Sequence, residues 1–173
     1  MDQRKHCSRP VVRLAASAAL AFISAFPAIA GANDVPKAPD FALASIAGSN
    51  YRLSEHRGEV VALLFWASWC GDCRQELERF ERLRRTYSNA GFVVLGVSLD
   101  DEPARARALA EAAGIGFPVL ADGAKDVSKS YRVDDLPLIV LIDRHGVVRA
   151  RHDALDEREE RGLMVSLRDL IDE

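Results

Sequence analysis

The stretch from Val60 to Glu76 constrains this chain more than any other. Val60-Val61-Ala62-Leu63-Leu64-Phe65-Trp66 is a continuous apolar run bounded by Gly58, and it is too short to span a membrane. Its length and its Val and aromatic content suit a strand buried on both faces of a sheet. After Cys70-Gly71-Asp72-Cys73 the period changes, and Leu77, Phe80, Leu83 and Tyr87 recur every three or four residues. That spacing predicts a helix with one apolar face. Both cysteines are therefore expected in its first turn, where a buried strand hands over to a helix N-terminus. Unpaired amides and the positive end of the helix dipole favour a negative charge there. A thiolate at that position is stabilised, and the thiolate is the attacking species in disulfide exchange.

The two-residue gap lets the sulfurs close a small disulfide ring. Cys70 is expected to be the exposed nucleophile and Cys73 the buried resolving thiol that breaks a mixed disulfide. A purely structural staple is the weaker reading, because closing so short a loop removes little unfolded-state entropy. No metal site is expected, since structural zinc needs four ligands and no second cysteine pair exists.

Glu76 is the most informative residue outside the cysteines. At about 100° per residue it falls in the middle of the face formed by Phe80, Leu83 and Tyr87. Either its stem lies on the core while its head reaches water, or it is a partly buried carboxylate. In the second case its pKa is raised and it is placed to exchange protons with the cysteine pair.

With 173 residues, 49% of them hydrophobic, the chain suits one domain behind a targeting segment. Arg4, Lys5, Arg9 and Arg13 precede a short Ala-rich apolar stretch over residues 14–26, and Ala28-Ile29-Ala30 offers a small-residue cleavage site. This pattern predicts a signal peptide over residues 1–30 and a mature domain over 31–173. An uncleaved membrane anchor is the rival, although Pro27 and the serines make that span marginal. Loss of the signal removes Cys7, leaving one cysteine pair, and takes the net charge from −3 to −6. So acidic a domain is a poor candidate for nucleic-acid binding. A single reactive pair on an exported chain fits a periplasm or cell exterior.

Downstream, Phe41-Ala42-Leu43-Ala44-Ser45 and Tyr51-Arg52-Leu53 flank Gly48-Ser49-Asn50, a hairpin signal. A short turn is expected to end at Gly58, with His56 a solvated loop residue. Residues 92–98 form the next buried strand. Asp100-Asp101-Glu102-Pro103 opens a helix over residues 104–113 that stops at Gly114. A short strand at 117–120 and a short helix at 124–131 follow. Paired strands at 138–143 and 147–151 precede a closing amphipathic helix at 156–171, with Leu163, Leu167 and Leu170 on one face. The alternation predicts an α/β fold whose largely parallel central sheet ends in an antiparallel hairpin.

Phe65-Trp66-Ala67-Ser68-Trp69-Cys70-Gly71-Asp72-Cys73 resembles the thioredoxin active-site segment. Residues 131–143, including Leu136-Pro137, resemble the segment that carries that fold's cis-proline and final hairpin. With the targeting segment and Glu76, residues 36–172 resemble the exported TlpA/ResA-like thiol–disulfide oxidoreductases. The resemblance implies a thioredoxin-like fold, a central mixed sheet flanked by helices, with an N-terminal β-hairpin. It also implies a β–α–β insertion between the halves of a minimal thioredoxin fold, as peroxiredoxins carry too. Such proteins place a functional glutamate three residues after the second cysteine, the position of Glu76. The local sequence alone would set Leu136–Pro137 trans; the resemblance makes it cis, packed beside the cysteines to receive substrate backbone, with Trp69 flanking. Trp66 is as readily core, and Arg74 reads as a solvated charge.

Two positions depart from thioredoxin itself. Its buried aspartate six residues before the first cysteine is Leu64 here, so proton handling must come from elsewhere. Its proline between the cysteines is Asp72, whose charge opposes the helix N-terminus in stabilising the Cys70 thiolate.

The resulting expectation is a monomeric thiol–disulfide reductase outside the cytoplasm that needs no cofactor. Its protein substrates would carry disulfides, such as apocytochrome c or copper-site proteins, and a membrane thiol donor would recharge it. A peroxiredoxin-like peroxidase is the first alternative, but residues 63–69 lack the proline and threonine those enzymes carry. A Cu(I) carrier using the two thiolates is the second, without nearby methionines or a third ligand.

Overall fold

A computed structural model describes residues 36–153 and 157–173. The expected signal peptide, its cleavage site and Cys7 lie outside the described residues.

Strands β1 (Ala42–Ala44) and β2 (Asn50–Arg52) form the expected antiparallel hairpin, followed by a 3-10 turn over Leu53–His56. The remaining elements are β3 (Val60–Trp66), α1 (Cys73–Tyr87), β4 (Phe92–Ser98) and α2 (Pro103–Ala112). After them come β5 (Val119–Ala121), α3 (Asp126–Ser130), β6 (Leu138–Ile142), β7 (Val148–His152) and α4 (Glu157–Asp172). Five strands make one mixed sheet in the order β5-β4-β3-β6-β7. β3, β4 and β5 run parallel, whereas β6 and β7 add antiparallel.

β3 is central and buried along its whole length. Because side chains alternate across a strand, its residues feed two cores. Val60, Ala62, Leu64 and Trp66 pack with Cys73, Leu77 and Phe80 of α1, Ala106 and Ala110 of α2, and Leu163, Leu167 and Leu170 of α4. Val61, Leu63 and Phe65 pack with Phe41, Leu53, Val127 and Tyr131 on the other side. The run is apolar throughout because neither face meets water.

The insertion elements are shorter than their sequence pattern suggests. β5 starts at Val119 because Pro118 has no amide to donate, although its carbonyl still accepts from the Gly96 amide at 3.0 Å. Gly96 is required there: a Cβ would lie 2.9 Å from the Phe117 ring and 3.1 Å from Trp66 Nε1. α3 opens late because Lys125 adopts a left-handed φ of 60°, and the buried Asp122 carboxylate accepts from the Val127 and Ser128 amides at 3.3 and 2.7 Å.

Candidate active site

β3 ends at Trp66, whose carbonyl accepts from the Leu99 amide at 2.8 Å, tying the ends of β3 and β4 together. The chain then turns, and the Cys70 amide bonds to the Ala67 carbonyl at 3.2 Å. A carboxylate from beyond β4 holds this turn. Asp100 Oδ1 accepts the Ser68 hydroxyl at 2.6 Å, Oδ2 accepts the Ser68 amide at 3.0 Å, and Ser98 Oγ donates to Oδ2 at 2.9 Å. Asp100 is buried. The sequence pattern groups it with the acidic opening of α2, but Glu102 occupies that N-cap and Asp100 points inward. Charge-assisted bonds to backbone of this kind are the stronger ones, so Asp100 braces the segment that presents Cys70. Its signal in the sequence is a polar Ser-x-Asp closing an otherwise apolar strand.

Cys70 and Cys73 form a disulfide, with Cα atoms 5.4 Å apart. The helix opens at Cys73 with Asp72 as N-cap, so Cys70 stands in the preceding turn rather than in the first helical turn as expected. The first i→i−4 bond runs from the Glu76 amide to the Asp72 carbonyl, which makes Asp72 the cap and leaves Cys70 ahead of the helix. Cys73 is fully buried in the core under α1, whereas Cys70 is half-buried and follows Trp69, the most exposed large apolar side chain among the described residues at 69%. Asp72 is exposed and makes no side-chain cap. Arg74 is exposed and pairs with Glu78 at 2.9 Å.

The Leu136–Pro137 peptide is cis. Leu138 pairs with Phe65, so this peptide comes at the end of β3 from which the cysteine turn departs. Pro137 is buried, and Leu136 is half-buried against both cores. Sheet topology thus brings the cysteine turn, with Trp69, Cys70 and Cys73, and the Leu136–Pro137 peptide to the same end of the central strand.

Glu76 is buried, with 9% exposure. It lines a cavity of about 430 Å³ with Arg79, Arg82 and Leu83 of α1 and Glu160 and Met164 of α4. Oε1 lies 3.6 Å from Arg79, and Oε2 has no hydrogen-bond partner. Burial pushes its pKa above the ordinary carboxylate value; Arg79 pulls it down and Glu160 adds to the rise. Of the two readings, the buried carboxylate is the one observed.

A second buried carboxylate on α1 has no signal in the apolar periodicity of the sequence. Glu81, at 4% exposure, accepts from Arg84 at 2.7 and 3.0 Å, from Arg85 at 2.7 Å and from the Gly116 amide at 3.0 Å. Burial alone would raise its pKa, but these bonds outweigh it and hold the group at about 2. Among the described residues no cluster of three or more His, Cys, Asp or Glu is arranged to hold a metal ion. No described helix is long and apolar enough to cross a membrane.

Comparison with known proteins agrees with this geometry. The chain is 36% identical over 112 residues to the thiol-disulfide oxidoreductase ResA of Geobacillus kaustophilus, a match covering 65% of this chain and 64% of that protein. It is 33% identical over 124 residues to the thioredoxin-like protein YneN of Bacillus subtilis, covering 70% and 72%. A Chlorobium tepidum crystal structure assigned as a DsbE-type thiol:disulfide interchange protein superposes with a TM-score of 0.74 at 34% identity, over 78% of this chain and 95% of that one. The pattern of the AhpC/TSA family matches residues 36–151, from the lead-in to the first hairpin through the cysteine turn and the cis peptide. On that match and these relatives, the chain belongs to the AhpC/TSA family and is similar within it to the ResA-type thiol–disulfide oxidoreductases.

Proposed function

We propose that the protein is an extracytoplasmic thiol–disulfide oxidoreductase that reduces disulfides in protein substrates. The observation that carries this is the pairing of a half-buried Cys70 with a fully buried Cys73 at the strand–helix junction. In the dithiol form, the Cys70 thiolate attacks a substrate disulfide, forming a mixed disulfide and expelling one substrate thiolate. The Cys73 thiolate then attacks Cys70 Sγ, releases the second substrate thiolate and leaves the Cys70–Cys73 disulfide. Two electrons pass to the substrate, the released thiolates take up protons, and a membrane dithiol donor restores the pair.

Three further features support this reading. Trp69 offers an exposed apolar surface beside the nucleophile, and the Leu136–Pro137 segment gives substrate backbone a place to dock. Glu76 supplies or accepts a proton at the cysteine pair, its raised pKa keeping a protonated fraction nearer neutrality than an ordinary carboxylate allows. Apocytochrome c and copper-site proteins are the substrates this reading favours, with export by the N-terminal segment.

Trapping tests it. A Cys73→Ser variant, unable to resolve the mixed disulfide, should accumulate covalent adducts through Cys70 with extracytoplasmic proteins, and the reduced wild type should reduce those same partners. Failure to trap any disulfide-bearing protein, together with rapid consumption of hydrogen peroxide by the dithiol form, would replace the reductase reading with a peroxidase.

A further inference from the structure

The Glu76 carboxyl does not have an arginine to itself. Arg79, one turn further along α1, lies 3.6 Å from Glu76 Oε1 but 2.5 Å from Oε1 of Glu160 on α4. The arginine is partly buried, with 14% side-chain exposure, whereas Glu160 is half exposed at the cavity mouth. The shorter contact, an ion pair through Arg79 Nη2, goes to the closing helix; neither that nitrogen nor the buried Glu76 Oε2 has a hydrogen-bond partner. A buried carboxylate with one orphan oxygen is costly unless its ionisation can adjust. Nothing in the sequence of α4 suggests a part in cysteine chemistry, yet this helix supplies the group that competes for the arginine.

We propose that Glu160 is a positioning residue for Glu76: by drawing Arg79 onto the closing helix, it keeps the Glu76 carboxyl half-paired at the floor of the cavity between α1 and α4. Arg79 is the shared element through which α4 acts. The inference rests on the reading of Glu76 as a proton-exchanging group only for its functional meaning; the three-residue relay stands on its own geometry. The charged groups facing Glu76 are Arg79 and Arg82 from its own helix and Glu160 from α4. From the sheet, His152 of β7 pairs with Ile139 and so shares the face that packs against α1 and α4.

Removing the Glu160 charge frees Arg79 to swing fully onto Glu76, which favours the carboxylate. Removing Arg79 does the opposite. A role limited to tying two helices together would make both substitutions destabilise alike and would leave the Glu76 titration where it was.

The titration is best read in the oxidised protein, where the disulfide cysteines do not titrate. The Glu76 side-chain carboxyl carbon is followed by NMR against pH in wild type, Glu160→Gln, Arg79→Gln and the double variant. A His152→Gln background separates any titration of that ring. The relay requires Glu160→Gln to lower the Glu76 midpoint and Arg79→Gln to raise it. It also requires the Glu160→Gln shift to shrink sharply once Arg79 is gone, the coupling that a double-mutant cycle isolates. An unmoved midpoint in Glu160→Gln, or an equal shift with and without Arg79, overturns it. Glu160 is half exposed, so its glutamine variant should fold; should Arg79→Gln not fold, Arg79→Lys serves as the second background. Cys70 alkylation profiles of the reduced variants report separately whether Glu76 acts on the cysteines. A shifted Glu76 midpoint with unshifted alkylation therefore defeats the functional reading and leaves the relay intact.

Discussion

Helix α1 buries two glutamates on different sides, and they have opposite fates. Glu81 has both oxygens filled by Arg84, Arg85 and the Gly116 amide, and is held ionised well below the ordinary carboxylate range. Glu76 has one distant, shared arginine and one empty oxygen, and is pushed the other way. Both are buried, so burial does not decide the outcome. Partners do. Glu81 fastens the segment after α2 to α1 and is finished chemically at neutral pH. Glu76, one turn after Cys73, is left able to take or lose a proton.

The sharpest way to break this contrast is turnover. Cys70→Ser should abolish reduction of a disulfide-bonded substrate, giving the floor of a single-turnover assay. Against that floor, Glu76→Gln should slow reduction by about 10²-fold, the low end of general acid–base contributions. Glu81→Gln should leave the rate per folded molecule unchanged. Equal losses in the two glutamine variants would erase the distinction.

Stability gives the next largest effect, with the order reversed. Glu81→Ala strips three donor groups of their acceptor and should cost roughly 2 kcal/mol in urea denaturation, since Arg84 and Arg85 can partly rehydrate. The contribution of Glu81 should be full above the ordinary carboxylate pKa of 4.5 and fade as the pH falls towards about 2, where the folded group protonates. The gap between wild type and Glu81→Gln should therefore narrow in acid.

The smallest effect has the opposite sign. Because the folded pKa of Glu76 is raised, the native state binds more protons than the unfolded one, and stability falls as the pH rises through that window. Glu76→Gln removes the penalty. Thermal melts should show the variant equal to wild type below pH 4.5 and more stable near neutrality. A variant less stable at every pH would mean that the carboxylate is well paired after all.

Much of this architecture is legible in the order of the residues. The apolar run at Val60–Trp66 suits only a doubly buried strand, because no solvent face breaks its pattern. The change of period after the cysteines marks α1, and the apolar arc around residue 76 puts one glutamate inside. The resemblance of the Leu136-Pro137 segment supplies the cis peptide, which local sequence would set trans.

What periodicity cannot reach are groups buried by something other than their own element's apolar face. Glu81 falls on the polar side of the α1 wheel, and it is covered because the loop carrying Gly116 folds over it. Asp100 reads as part of a helix opening, and it is buried because the turn at Ser68 arrives beside it from 32 residues earlier in the chain. Glu160 is an ordinary exposed position on α4 until Arg79 reaches it. The pattern along the chain determined which side chains leave water for the core, since burial repeats with the helix or strand. Which polar groups meet once they are inside depends on contacts between distant segments, and only the tertiary structure decided those.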